Sequence, residues 1–386
     1  MFDPKEIPAM RQVIREAMAR EKSNLDELRN EIGSLSSDVK VIRPRTTTAV
    51  SMVASDGGNN QLVFDPFHVQ LVRVVDSFGE QLCLDTVTPT TDTDRLSEEQ
   101  FNGNGSPRTA LGRLMIDLEV KSRKLSDLSP MIPRGNVIRD KPNEVTPGWV
   151  LVYRDLCEWA VLYERICYRN PTSDTIIVRD GQLRSKLFSG SLFIKLRKLI
   201  EEKIDQVKEE TKRKVYLVGI AKGSKVLERY NLAMTLERTF APGSPRYVRI
   251  PRSLEAKAYI WPEYARGAEA EDSEGEAPKF VAGDMYLVRF GQRSGDPIWS
   301  VDIFSSQSGD VDEILGYLLA DAIGGFPIPY YPLCLQRAHE YASIAGFDLD
   351  ILQDEVFDAI RSLLANTEVP EFEALRFRSD FLDRRY

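Results

Sequence analysis

Two aspartates in this sequence each follow a short β-branched run and precede a glycine. Residues 46–57 contain such a run that ends in Asp56-Gly57, and residues 174–181 contain another that ends in Asp180-Gly181. A run of this kind predicts a strand, and the glycine predicts a sharp turn, so each strand would present an aspartate at its tip. Glu164 lies between them on a predicted helix. Carboxylates gathered in this way can hold divalent metal ions for phosphodiester hydrolysis.

Two glutamates on the predicted helix are candidates for the third carboxylate ligand. Glu164 lies sixteen residues before Asp180, which leaves room for the helix to end, turn, and lead into the strand. Glu158 is the rival on the same helix. Because a six-residue spacing separates the two glutamates around the helix axis, only one of them is expected to face the metal ions.

Composition limits the class of protein. A chain of 386 residues with 42% hydrophobic and 28% charged residues is typical of a soluble globular protein of one large or two smaller domains. No apolar run approaches the ~20 residues that span a bilayer, and the N-terminus lacks a signal-peptide pattern. The four scattered cysteines form no Cys-x-x-Cys pair, which argues against a zinc ribbon and favours a cytoplasmic location. A net charge of −8 argues against bulk electrostatic binding of DNA, so any DNA contact is expected to be local or assisted by a partner.

The elements around these residues predict an α/β fold. Strands over residues 46–85, with a turn at 57–60, suggest an antiparallel half of a mixed sheet, and later strands that alternate with helices suggest a parallel half. This is the outline of a ribonuclease-H-like sheet flanked by helices. The other predicted elements are helical segments at 4–32, 108–127, 148–169, 190–210, 224–238, 309–323, 333–345 and 350–365, and strands at 174–179, 214–221, 279–290 and 297–304.

Several motifs occur in a fixed order along most of the chain. They are Ala-Ser-Asp-Gly-Gly at 54–58, Glu164-Arg165, Arg-Asp-Gly-x-Leu at 179–183, Val-Gly-Ile-x-Lys at 218–222, and Tyr-Tyr-Pro-Leu at 330–333 followed by Ala338-His339. In their order and spacing, the chain resembles the NurA family of nucleases. One departure is Gly58, which stands where the family's first motif, Asp-Gly-Ser, has serine.

The resemblance implies manganese-dependent cleavage of DNA, with magnesium as the alternative ion and two ions at the site. Its implied activities are those of a 5′-to-3′ exonuclease and a single-strand endonuclease. Its implied partners are a second copy of the chain, in a homodimer, and a HerA-type hexameric ATPase that translocates DNA, in DNA end processing or anti-phage defence. By residue match, the metal ligands would be Asp56, Glu164, Asp180 and His339, with Tyr331 as a further catalytic residue.

Two basic residues are candidates for binding the substrate. Lys222 follows a predicted strand and precedes a helix, where a lysine can pair with a phosphate. Arg179, beside Asp180, is the second candidate. The sequence around Lys222 lacks the spacing of a Walker loop, so an ATP-driven motor would have to be a separate protein.

The predicted domains are an N-terminal helical arm at 1–40 for dimer or partner contacts, a nuclease domain at 41–370 with loop insertions at 86–108 and 264–278, and a C-terminal tail at 371–386.

Two other functions stay open. One is an actin-like or sugar-kinase-like phosphotransferase that uses Asp56-Gly57-Gly58 as its phosphate loop. The other is a non-catalytic adaptor of a DNA translocase.

Overall fold

The computed structural model describes residues 3, 5–46, 50–64, 67–259, 280–343 and 347–374. The acidic loop insertion predicted at 264–278 and most of the tail predicted at 371–386 lie outside these residues. Within them, no helix combines the length and apolar character needed to cross a membrane.

Nine strands of the described residues form one mixed sheet, in the order β1-β7-β8-β9-β6-β5-β2-β3-β4. The strands are β1 Lys40–Val41, β2 Val50–Phe64, β3 Phe67–Asp76, β4 Gln81–Val87, β5 Asp174–Asp180, β6 Val215–Ala221, β7 Arg246–Arg249, β8 Gly283–Arg289 and β9 Trp299–Phe304.

The helices occupy the connections and the two faces of this sheet. They are α1 Ile7–Arg20, α2 Lys22–Gly33, α3 Thr93–Glu98, α4 Ala110–Asp117, α5 Leu125–Leu128, α6 Gly135–Asp140, α7 Trp149–Tyr168, α8 Leu192–Thr211, α9 Lys225–Leu236, α10 Arg252–Ala258, α11 Val311–Ala322, α12 Leu333–Ala342 and α13 Phe347–Leu363.

The centre of the sheet has an antiparallel half and a parallel half. Strands β2, β3 and β4 form an antiparallel meander, and β2, β5 and β6 are parallel neighbours. Strand β9 then pairs with β6 in the antiparallel sense, and β8 and β7 extend that side. The predicted α/β fold with a mixed sheet flanked by helices is confirmed.

The two faces of the sheet carry separate apolar cores. Ile177 of β5 packs with residues of α7 and α8, whereas its neighbours Ile176 and Val178 pack with residues of α11 and α12. This division follows from the alternation of side chains along a strand. It places each successive residue of β5 in a different environment.

The turn predicted at residues 57–60 is wrong, because these residues belong to strand β2. This strand runs unbroken from Val50 to Phe64 and pairs with β3 along the whole stretch from Ser55 onward. Glycine is required here by close approach: a Cβ at Gly57 would overlap the side chain of Glu158, and a Cβ at Gly58 would overlap the carbonyl of Ala342. A continuous strand also removes the phosphate loop that the phosphotransferase alternative needs.

Two predicted helices are broken in the structure. The segment predicted at 4–32 forms α1 and α2, and α1 buries none of its residues. The helix predicted at 108–127 is divided into α4 and α5, because Glu119, Ser122 and Arg123 adopt left-handed backbone conformations with φ of 55°, 55° and 51°. Such conformations cannot continue a right-handed helix.

Candidate active site

Asp56 and Asp180 lie side by side where β2 separates from β5. The two strands are parallel, and their last recorded pair is Ser55 with Arg179, so the aspartates are the next residues in register. Ala54 and Val178 both pack in the α11–α12 core. Because side chains two residues apart share a face, both aspartates leave the sheet on that side. The predicted convergence of these two strands is therefore observed.

His339 of α12 completes a cluster with the two aspartates. Its Nδ1 lies 2.7 Å from Oδ2 of Asp56, and ligand atoms of Asp56, Asp180 and His339 all lie within 4.8 Å of one another. The imidazole is 60% exposed, whereas the side chain of Asp56 is 12% exposed. When Nδ1–H donates to a carboxylate, Nε2 is left as a free acceptor. Asp56 also accepts a hydrogen bond from the backbone N–H of Gly57 at 2.8 Å.

Asp180 sits among groups that act on its charge in opposite directions. Burial raises its pKa, and the negative charge of Asp56 adds to that effect. The ammonium of Lys222, 3.4 Å from Oδ2, and the hydroxyl of Tyr331, which donates to Oδ1 at 3.2 Å, oppose it. The carboxylate is thus held in a defined orientation beside a second negative charge.

Tyr331 is positioned by packing. The side chain is fully buried, and its ring lies 4.9 Å, centroid to centroid, from the ring of Trp299. Burial, followed by the charge of Asp180, raises the pKa of Tyr331, so its hydroxyl stays protonated and serves as a hydrogen-bond donor. The structure brings the predicted residue Tyr331 directly to Asp180.

The structure does not bring Glu164 to this cluster. Its carboxylate pairs with Arg113 of α4 at 3.4 Å, and it lines a cavity between α4, α7 and β4. Glu158, the rival, is the glutamate that reaches β2, where its carboxylate lies against Gly57. Residues six apart on a helix face different directions, which explains why only one of the two contacts β2.

Glu158 lies in an ion-pair cluster on the α7 face of the sheet. Its Oε1 is 3.2 Å from Arg154, and its Oε2 is 3.4 Å from Arg179. Burial raises the pKa of Glu158 to about 8, although the two guanidiniums act in the opposite direction.

Arg179 is placed away from the aspartates. It donates to Asp155 at 2.7 Å, and its guanidinium lies 4.8 Å from the ring centroid of Trp159. With only 7% of its surface exposed, Arg179 holds α7 against β5, and the predicted substrate contact is not open to it. Lys222 is 38% exposed beside Asp180 and remains available to a substrate.

The donors of the cluster are suited to hard cations. Two carboxylate oxygens and an imidazole nitrogen are ligands that Mn²⁺ accepts readily, and the carboxylates also suit Mg²⁺. Among the described residues, Lys222 supplies the only ammonium or guanidinium group in contact with Asp180. The two neighbouring carboxylates therefore leave an excess of negative charge, which a divalent cation would balance.

The chain is similar in structure to several solved proteins, but its sequence matches neither a family model nor a curated protein. The NurA nuclease from Sulfolobus solfataricus is 13% identical, with a TM-score of 0.42 over 95% of this chain and 99% of that one. A NurA structure bound to dAMP and manganese is 13% identical, with a TM-score of 0.40 over 95% and 98% of the two chains. Another NurA structure, with manganese, is 16% identical, with a TM-score of 0.39 over 92% and 99%. At these values no residue role is transferred from those structures to this chain.

Proposed function

We propose that this chain is a divalent-metal-dependent DNA nuclease of the NurA type. The observation that carries the proposal is the cluster of Asp56, Asp180 and His339, whose ligand atoms lie within 4.8 Å although they come from three distant parts of the sequence. The order of motifs in the sequence is its second support. Manganese is the proposed ion, with magnesium as the alternative.

The residues of the chain have separate proposed roles. Asp56, Asp180 and His339 would hold the cation. Tyr331 would fix the Asp180 carboxylate through Oδ1. A divalent cation in such a site supplies an activated water and stabilises charge on the leaving oxygen of a phosphodiester, with a second ion sharing the work in two-metal sites.

The surroundings of the cluster complete the proposal. The exposed imidazole of His339 would bind the cation or, as the alternative, donate a proton to the leaving oxygen. Lys222 would contact a substrate phosphate from its position beside Asp180. Glu158 lies against Gly57, next to Asp56, but it pairs with Arg154 and Arg179 on the opposite face of the sheet, so no part in holding the cation is proposed for it or for Glu164.

The finer assignments rest on the motif resemblance. They are 5′-to-3′ exonuclease and single-strand endonuclease activity, a homodimer, and a HerA-type hexameric translocase as partner in the cytoplasm, in DNA end processing or anti-phage defence. A net charge of −8 supports delivery of DNA by a partner. Helix α1 supports the idea of an N-terminal arm for contacts, because Val13, Ile14 and Met18 on it are more than half exposed.

The test uses end-labelled single- and double-stranded DNA with Mn²⁺ or Mg²⁺, with and without the ATPase. Cleavage should require the cation, stop with a chelator, and be lost in Asp180→Asn. Glu164→Gln is the matched control, because Glu164 pairs with Arg113 away from the cluster, and it should keep its activity. Cleavage by Asp180→Asn at the wild-type rate would refute the proposal. ATPase binding without metal-dependent cleavage would favour the adaptor alternative.

A further inference from the structure

A second cluster of potential metal ligands lies on the α7 face of the sheet, at its β4 edge. Ligand atoms of Cys83 and Asp85 on β4 and of Cys157 on α7 lie within 4.8 Å of one another. The first two are two residues apart on a strand and therefore share a face. The two cysteines are 74 positions apart in the sequence, so their spacing alone could not reveal the pair.

The distance between Cys83 and Asp85 is close to one edge of a tetrahedral site. The Sγ of Cys83 is 3.4 Å from Oδ2 of Asp85. Zinc bonds to sulfur of about 2.3 Å and to oxygen of about 2.1 Å give a sulfur–oxygen edge of about 3.6 Å in a tetrahedron. Small adjustments of the side chains would therefore suffice to bind one cation.

A chain of hydrogen bonds orients the carboxylate of Asp85. The hydroxyl of Tyr153, which is fully buried, donates to Oδ2 of Asp85 at 2.8 Å. The amide of Gln100 lies 3.4 Å from that hydroxyl and accepts from Thr109 at 2.6 Å. Support of this kind behind a ligand is a regular feature of metal sites in proteins.

The three ligands are also accessible to an ion. All of them line a cavity of about 370 Å³, whose wall includes Arg108 and Glu164. A cation that enters this cavity reaches both sulfurs and the carboxylate.

We propose that Cys83, Asp85 and Cys157 form a site for one thiophilic divalent cation of the Zn²⁺ type. Two thiolates and one carboxylate select a softer ion than the oxygen and nitrogen donors of the Asp56 cluster do. On binding, two sulfur–metal bonds replace two S–H bonds, and the two protons pass to solvent. Because β4 is one of the two edge strands of the described sheet, the ion would link that edge to α7.

The test is a Co²⁺ titration of the reduced full-length protein, followed by absorption. We expect one equivalent of Co²⁺ to produce a thiolate-to-cobalt charge-transfer band, and Zn²⁺ to abolish it by displacement. Cys83→Ser and Cys157→Ser should each lose the band. Cys167→Ser is the matched control, because this cysteine lies on the same helix outside the cluster, and it should keep the band.

Two further variants make the result specific. Asp180→Asn should keep the band, which separates this site from the proposed catalytic cation, whose ligands include no sulfur. Cys83→Ser affects a half-buried side chain, so it remains informative if Cys157→Ser fails to fold. The proposal is overturned if the reduced wild-type protein gives no charge-transfer band, if the band persists in Cys83→Ser, or if oxidation yields only a Cys83–Cys157 disulfide in a protein that binds no Co²⁺.

Discussion

Arg179 and Asp180 are neighbours at the end of β5, yet their side chains leave opposite faces of the sheet into different electrostatic surroundings. On the α7 face, Arg179 pairs with Asp155 at 2.7 Å and with Glu158 at 3.4 Å. A second guanidinium, that of Arg154, lies 3.2 Å from Glu158. When Glu158 is ionised, above its raised pKa of about 8, two carboxylates meet two guanidiniums, and the charges on this face are balanced within the protein.

On the α12 face the balance is different. Asp56 and Asp180 converge with His339, and one ammonium, that of Lys222, lies 3.4 Å from Asp180. Like charges brought together in a buried place destabilise one another unless a cation joins them. The balanced face holds the fold together, whereas the excess negative charge on the other face is consistent with the proposed binding of a cation there.

The largest effect on activity is expected from Asp180→Asn. The substitution removes a carboxylate that we propose as a metal ligand, and we expect Mn²⁺-dependent cleavage to fall by roughly 1,000-fold, or about 4 kcal/mol of transition-state stabilisation. Because it also removes a negative charge beside Asp56, the metal-free variant should be at least as stable as the wild type. Rates on labelled DNA and urea unfolding in chelator measure the two effects. A variant that is much less stable in chelator would mean that Asp180 serves the fold.

The largest effect on stability is expected on the opposite face, from Arg179→Met. Breaking this buried ion pair leaves Asp155 without its guanidinium partner and Glu158 with Arg154 alone, and it should lower the free energy of unfolding by about 3–5 kcal/mol with or without metal. The control is the double variant Arg179→Met with Glu158→Gln, which removes the charge that Glu158 carries when it is ionised and should recover part of the loss at pH 9. Urea unfolding measures both. Equal stability of Arg179→Met and the wild type would contradict the balanced-face interpretation.

The two faces also differ in how well the sequence predicts them. Strand patterns and the position of each Asp-Gly were enough to predict that Asp56 and Asp180 meet. The alternation of side chains on β5 could have excluded Arg179 from the same site, because adjacent residues of a strand point in opposite directions. The choice between Glu158 and Glu164 depends on how far α7 is rotated about its axis, and tertiary packing decides that rotation.

The other wrong prediction was the turn at residues 57–60, which was based on the two glycines. An Asp-Gly-Gly sequence usually indicates a turn, but here the glycines let α7 and α12 approach a continuous strand from both sides. Contacts between distant segments, such as Asp56 with His339, cannot be found from local patterns. The expectation that His339 takes part came from the motif resemblance alone.

A smaller effect, on the pH dependence of stability, is expected from Glu158→Gln. The pKa of Glu158 in the folded protein is raised to about 8, so the folded state binds this proton more tightly than the unfolded state does. Its contribution to stability is complete below the ordinary glutamate pKa and is lost as the pH rises towards 8. The wild type should therefore lose more stability between pH 5 and pH 8 than Glu158→Gln does. Urea unfolding in chelator checks this, and Glu164→Gln should behave like the wild type.

The smallest effect is expected from Tyr331→Phe, which keeps the ring beside Trp299 and removes only the hydrogen bond to Asp180. One such bond to a charged group contributes about 1.5–3 kcal/mol, and the 3.2 Å length of this one places it at the lower end, so cleavage should fall by about tenfold. The hydroxyl lowers the pKa of Asp180, and its loss raises that pKa further. The acid limb of the pH–activity profile should therefore move to higher pH in the variant, because protonated Asp180 binds a cation poorly. If the rate fell without a shift of this limb, Tyr331 would act on the substrate and not through the Asp180 carboxylate.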